Sequence, residues 1–147
     1  MKSLYLLMLG ILFNTHTYAF PCFLTMVKDN CWINYNVKVK VVDTKNNQQL
    51  AEILVPKSQP WSRVSFQCAP GQAFLLKAEF SPVIWQSEAG RMYDSQRYWS
   101  LPKHVSAGEV AWNLSMCYAA DFAGLPMPPS ATNRCKCDFS AIPKLTQ

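Results

Sequence analysis

From Asn34 to Val42 the chain alternates, with Tyr35, Val37, Val39 and Val41 on one parity and Asn34, Asn36, Lys38 and Lys40 on the other. Successive side chains of a strand point to opposite faces, so this pattern predicts a half-buried β-strand with a valine face toward a core. Asp43-Thr44-Lys45-Asn46-Asn47 carries turn chemistry, and Leu50 to Val55 returns as a strand stopped by Pro56. The two segments are expected to pair as a hairpin. Trp61 to Cys68 places Val64, Phe66 and Cys68 on one face before Ala69-Pro70-Gly71 turns the chain. Phe74, Leu76, Ala78 and Phe80 then alternate against Leu75, Lys77 and Glu79. Val83 to Gln86 is short and apolar, Arg97 to Leu101 is aromatic-rich and stops at Pro102, and Val110, Trp112, Leu114 and Met116 mark a last strand.

No ten-residue stretch shows a helical period. Short strands separated by Pro- and Gly-bearing turns predict an all-β chain, an antiparallel β-sandwich of about seven strands. Its expected extent is residues 20–118. From Ala119 the character changes: Pro126, Pro128, Pro129 and Pro143 and a scarcity of strand formers predict an extended, Pro-rich C-terminal tail over 119–147. The polar turn followed by Leu50-Ala51-Glu52-Ile53-Leu54-Val55 is similar to the opening hairpin of immunoglobulin-like and transthyretin-like modules. That resemblance implies a sandwich of one of those types and carries no function.

The first nineteen residues change the picture of where such a domain works. Lys2 opens an apolar run from Leu4 to Phe13, and Thr17-Tyr18-Ala19 presents small residues where a signal peptidase reads. The run is too short for a comfortable bilayer span. Residues 1–19 are therefore expected to be a signal peptide, with free release after Ala19. Phe20 and Pro21 before Cys22 do not suit lipid attachment. The mature product is expected to be secreted or periplasmic, with no stable membrane insertion.

Cys22, Cys31, Cys68, Cys117, Cys135 and Cys137 all lie beyond that cleavage point. An even count in a short exported chain predicts a disulfide framework. Cys135 and Cys137 sit too close for an unstrained mutual bridge. The expected pairing joins the chain ends, Cys22 and Cys31 with Cys135 and Cys137, and links Cys68 to Cys117. Zinc would need four ligands, usually at short Cys-x-x-Cys or His-x-His steps, and the chain has neither. The expectation is no metal and no cofactor. Cys135-Lys136-Cys137 lacks the βαβ surroundings of a thiol-disulfide catalyst.

The formal charge of +5 is scattered rather than gathered into a basic stripe, which argues against nucleic-acid binding. His104 is the sole histidine beyond the leader, in a predicted loop after Pro102. Asp94, Glu79, Glu88 and Glu109 show no spacing that singles out an acid–base pair, and the five glycines are isolated. No catalytic residue is assigned. The informative stretch runs from Trp85 to Trp99, where aromatics and arginines interleave with polar residues, the favoured material of binding patches. The candidate ligand-binding residues are Trp85, Arg91, Tyr93, Arg97, Tyr98 and Trp99, with Tyr93 and Trp99 expected at the surface. Asn113-Leu114-Ser115 matches a glycosylation sequon but falls within a predicted strand. The expected function is an exported, non-enzymatic binding protein for a protein or surface glycan. An inhibitor of an extracellular enzyme comes second, and a small hydrolase using carboxylates or His104 third.

Overall fold

The computed structural model describes residues 19–132 and 134–145. Apart from Ala19, the expected leader lies outside the described residues. Eight strands run in the order β1 (Phe20–Lys28), β2 (Asn36–Asp43), β3 (Gln49–Val55), β4 (Trp61–Cys68), β5 (Ala73–Ser81), β6 (Tyr93–Asp94), β7 (Trp99–Ser100) and β8 (Trp112–Tyr118). They form two sheets, β4-β1-β8 and β3-β2-β5-β6, with β7 also paired to β5. The arrangement is all-β and sandwich-like. Among the described residues no helix is long and apolar enough to cross a membrane.

The alternation of β2 works as its residue types dictate. Val37, Val39 and Val41 are buried at 0–2% exposure and join Ile53, Val55, Phe74, Leu76 and Ala78 of the same sheet. Against them pack Cys22, Leu24, Met26, Phe66, Trp112, Leu114, Met116 and Tyr118 of the other sheet, in one continuous cluster. Trp32 plugs one end, edge-on to Tyr118 at 5.1 Å between ring centroids. The β2–β3 turn is capped by Asp43, whose carboxylate accepts from the Lys45 N–H at 2.7 Å and from the Gln72 amide at 2.5 Å. Those two bonds, the Gln72 one first, hold its carboxyl below the usual range.

Three expectations need correction. First, β1 is an unforeseen strand, central in its sheet, antiparallel to β4 and parallel to β8, so the fold is not wholly antiparallel. Both its faces are covered: Leu24 and Met26 point into the core, while Thr25 and Val27 are buried on the opposite face. Arg63 donates to the Thr25 hydroxyl at 2.7 Å and to the Pro143 carbonyl at 2.9 Å. Asn30 and Lys136 exchange two further hydrogen bonds, so residues 136–143 run beside that face. A strand buried on both sides shows no alternation.

Second, Val83 to Gln86 is not a strand; the chain bends there and enters a 3-10 turn at Gln86–Glu88. Val83 is 41% exposed and has no strand partner among the described residues. Third, the disulfides are Cys22–Cys68, Cys31–Cys135 and Cys117–Cys137. All six cysteines are paired and Cys135 is not bonded to Cys137, but Cys68–Cys117 and a bridge from Cys22 to the C-terminal pair are wrong. Cys68 sits opposite Phe20 and Cys117 opposite Val27, seven residues apart along β1. At about 3.3 Å per residue that is roughly 23 Å, far beyond a disulfide's reach. Three disulfides fit an extracellular or otherwise oxidising compartment.

Lys28, at the end of β1, is buried and forms none of the ion pairs among the described residues. Its ammonium donates to the carbonyls of Tyr35 and Pro56, each at 2.7 Å, and of Ile33 at 3.4 Å. Burial pulls it down to about 8. The group ties two loop segments, that before β2 and that after β3, to the strand.

Candidate functional site

The stretch from Trp85 to Trp99 becomes the edge of the second sheet, and its register decides which side chains face out. Tyr93 lies opposite Ala78 and Asp94 opposite Lys77, whereas Trp99 lies opposite Phe74 and Ser100 opposite Ala73. Cross-strand neighbours share a face. Tyr93 and Trp99 therefore follow Ala78 and Phe74 inward. Between those two pairings β5 advances four residues and the edge segment six. Two surplus residues cannot be laid along the ladder, so the chain leaves the sheet between β6 and β7, as in a large bulge.

Ser95 seals the break. Its N–H donates to the Leu76 carbonyl at 2.8 Å, and its hydroxyl accepts from the Leu76 N–H at 3.1 Å and donates to the Arg97 carbonyl at 2.9 Å. The outer edge is then covered by the segment after β8. Ala123 N–H donates to the Asp94 carbonyl and Gln96 N–H to the Asp121 carbonyl, each at 2.9 Å. The Gln96 side-chain amide reaches the Ala120 carbonyl at 2.8 Å. Beyond Gln96 that cover stops, and Arg97 and Tyr98 project.

The six candidate residues thus divide. Tyr93 is buried, 3% exposed, and stacks on Phe80 with its hydroxyl donating to Glu88. Burial, then the Glu88 hydrogen bond, pushes its phenol up to about 12. Trp99 is half-buried against the core, its indole N–H enclosed with no partner among the described residues. The expected surface position holds for neither as a freely standing ring. Trp85 is half-buried beside the 3-10 turn, and Arg91 is exposed, salt-bridged to Glu88 at 3.0 Å with its guanidinium over the Tyr93 ring. Arg97 is exposed, its guanidinium carbon 4.1 Å from the centroid of the Trp99 ring. Tyr98 is 65% exposed. A cleft of about 380 Å³ opens here, lined by Leu75, Asp94, Ser95, Gln96, Arg97 and Tyr98.

The sequence pattern marked the right stretch. The even surplus leaves parity intact: Tyr93, Ser95 and Trp99 share one parity and turn inward, and Tyr98 on the other faces out, while Arg97 alone shares the inward parity yet stands in solvent. Gln96, Leu75 and Asp94 were not among the binding candidates. Asp94 and Gln96 are chain neighbours of Arg97 and Tyr98, whereas Leu75 reaches them only through the pairing with β5.

The catalytic candidates are dispersed. His104 is exposed in the loop before β8 and makes none of the side-chain hydrogen bonds among the described residues. Glu79 is held by Lys38 at 3.1 Å, Asp94 by Lys77 at 2.8 Å, and Glu109 accepts from the Ser106 N–H at 2.8 Å. Asp29, Cys31 and Cys135 bring three potential ligand atoms within 4.8 Å of one another. The two sulfurs, however, are bonded to each other, and the carboxylate accepts from the N–H groups of Cys31 and Ala119. No family model, curated protein or solved structure matches the chain.

Proposed function

We propose that this chain is an exported, non-enzymatic binding protein whose ligand, a protein or a surface glycan, is engaged at the broken edge between β6 and β7. The observation that carries the reading is the two-residue surplus against β5, which lifts Arg97 and Tyr98 out of the sheet beside a cleft. A rigid, disulfide-stapled scaffold loses little entropy when such a ledge binds. Secretion or a periplasmic location is supported by the leader pattern of residues 1–19 and by three disulfides. The shared core of the two sheets and the β2–β3 hairpin support an immunoglobulin-like or transthyretin-like sandwich, with residues 119–147 as its disulfide-held tail.

The test screens the exported protein and its Tyr98→Ala variant on a glycan array and against a cell-envelope lysate. A retained ligand that the variant loses, at unchanged melting temperature, supports the reading. Ligand retention indifferent to Tyr98, or turnover of a retained polymer, refutes it. N-terminal sequencing of the exported product should begin at Phe20.

A further inference from the structure

We propose that the ledge of Arg97 and Tyr98 takes a carboxylate-bearing sugar, a uronic acid residue of an anionic polysaccharide; this rests on the binding reading above. Among the residues that line the cleft, Arg97 is the one cation. Lys77 is taken by Asp94 at 2.8 Å, Lys38 by Glu79 and Arg91 by Glu88. Arg97 forms none of the ion pairs among the described residues, although it borders a cleft. Its guanidinium carbon lies 4.1 Å from the centroid of the Trp99 ring, a cation–π contact that restrains the side chain, and its N–H groups donate in none of the side-chain hydrogen bonds among the described residues. A pre-oriented planar fork matches a carboxylate bidentately, which a mobile lysine would not.

Tyr98 supplies the second element. Its exposed ring is an apolar platform for the C–H face of a pyranose, with a hydroxyl at its rim. Asp94 and Gln96 line the same cleft and bring oxygen acceptors for sugar hydroxyls. A cleft of about 380 Å³ lies at the small end of ligand-site sizes and suits a single ring rather than a folded partner. A protein interface needs about 800 Å² per partner around a buried apolar anchor. Here the one β5 residue lining the cleft with Tyr98 is Leu75, half-exposed. Without Lys2 of the leader the formal charge is +4, which favours encounter with a polyanion.

The experiment uses the oxidised exported protein and three immobilised probes: polygalacturonate, the same polymer methyl-esterified, and polyglutamate. The expected result is retention on polygalacturonate alone. Arg97→Gln should weaken it about tenfold, the size of a lost charge-assisted hydrogen bond. Tyr98→Ala should abolish it, Tyr98→Phe should keep most of it, and no variant should shift melting. Equal retention on polyglutamate would mean an acidic-peptide or purely electrostatic partner and would overturn the proposal. Retention on the esterified polymer, unaffected by Arg97→Gln but lost with Tyr98→Ala, would overturn the acidic-sugar inference while sparing the binding site. Polygalacturonate retention indifferent to Tyr98→Ala would overturn both, and no retention on polygalacturonate overturns the acidic-sugar inference alone.

Discussion

The two sides of β5 are built differently. On one side it pairs with β2 residue for residue from Asn36↔Ser81 to Asp43↔Phe74. On the other it meets β6 and β7 at only two residue pairs each. The β2 side buries its valines completely and leaves a predictable row of Lys38 and Lys40 outside. The broken side buries Tyr93, Ser95 and Trp99 to different depths and throws Arg97 and Tyr98 into solvent. A full ladder spends every backbone group and residue parity on folding. A ladder with surplus residues releases a few side chains from that duty, which is where a small rigid domain can place a site.

Phe74 faces both sides, opposite Asp43 of β2 and Trp99 of β7, with no exposed surface. Phe74→Ala should give the largest effect, about 3–5 kcal/mol lost from transfer and cavity terms, read by denaturant titration. A loss below about 1 kcal/mol would mean that the sheet does not close over this position. Tyr93→Ala should come next, at about 3 kcal/mol, since it removes a buried ring stacked on Phe80. A Tyr93 variant as stable as the parent would return that residue to the surface and erase the division between inward and outward aromatics.

How far the two sides could be read beforehand follows from the same contrast. Val37, Val39 and Val41, Phe74, Leu76 and Ala78, and Trp112, Leu114 and Met116 alternate because each strand has one covered and one wet face. Those strands, and the hairpin at Asp43, were readable within a residue or two. β1 was not: Phe23-Leu24-Thr25-Met26-Val27 meets the core on one face and Arg63 with the C-terminal segment on the other. Missing β1 carried the disulfide error with it, because Cys22 meets Cys68 only once β1 lies against β4. At the candidate site the residue types were visible in the sequence. The outward position of Arg97 was not, since it shares the parity of the inward Tyr93, Ser95 and Trp99 and leaves the sheet only because of surplus residues against a distant partner strand.

The phenol of Tyr93 sharpens the contrast by pH. An unfolded tyrosine ionises near 10, whereas burial holds the folded Tyr93 protonated up to about 12. Between those values the folded state binds more protons than the unfolded one, so this contribution to stability is complete below pH 10 and falls as pH rises. The parent should therefore lose more stability between pH 10 and 12 than Tyr93→Phe does. Parallel stability–pH curves for the two proteins would place the phenol in water.

The smallest expected effect is the most discriminating. Tyr98 is 65% exposed, on the stretch lifted out by the surplus, and its ring meets solvent rather than the core. Cutting it to Ala removes little buried area, so stability should move by no more than about 0.5 kcal/mol, the usual range for surface positions. Its backbone position is set elsewhere, by the Ser95 hydroxyl bonding the Arg97 carbonyl and by the pairing of Trp99 with Phe74. The excursion should thus keep its path in Tyr98→Ala, and the amide protons of Leu76 and Ser95 should exchange as slowly as in the parent. Ser95→Ala instead removes both the acceptor for the Leu76 N–H and the donor to the Arg97 carbonyl, and should speed exchange of the Leu76 amide and loosen the excursion that carries Tyr98. If Tyr98→Ala destabilised the protein as Tyr93→Ala does, the two sides of β5 would be equally committed to folding, and no residue of the broken edge would be free to bind.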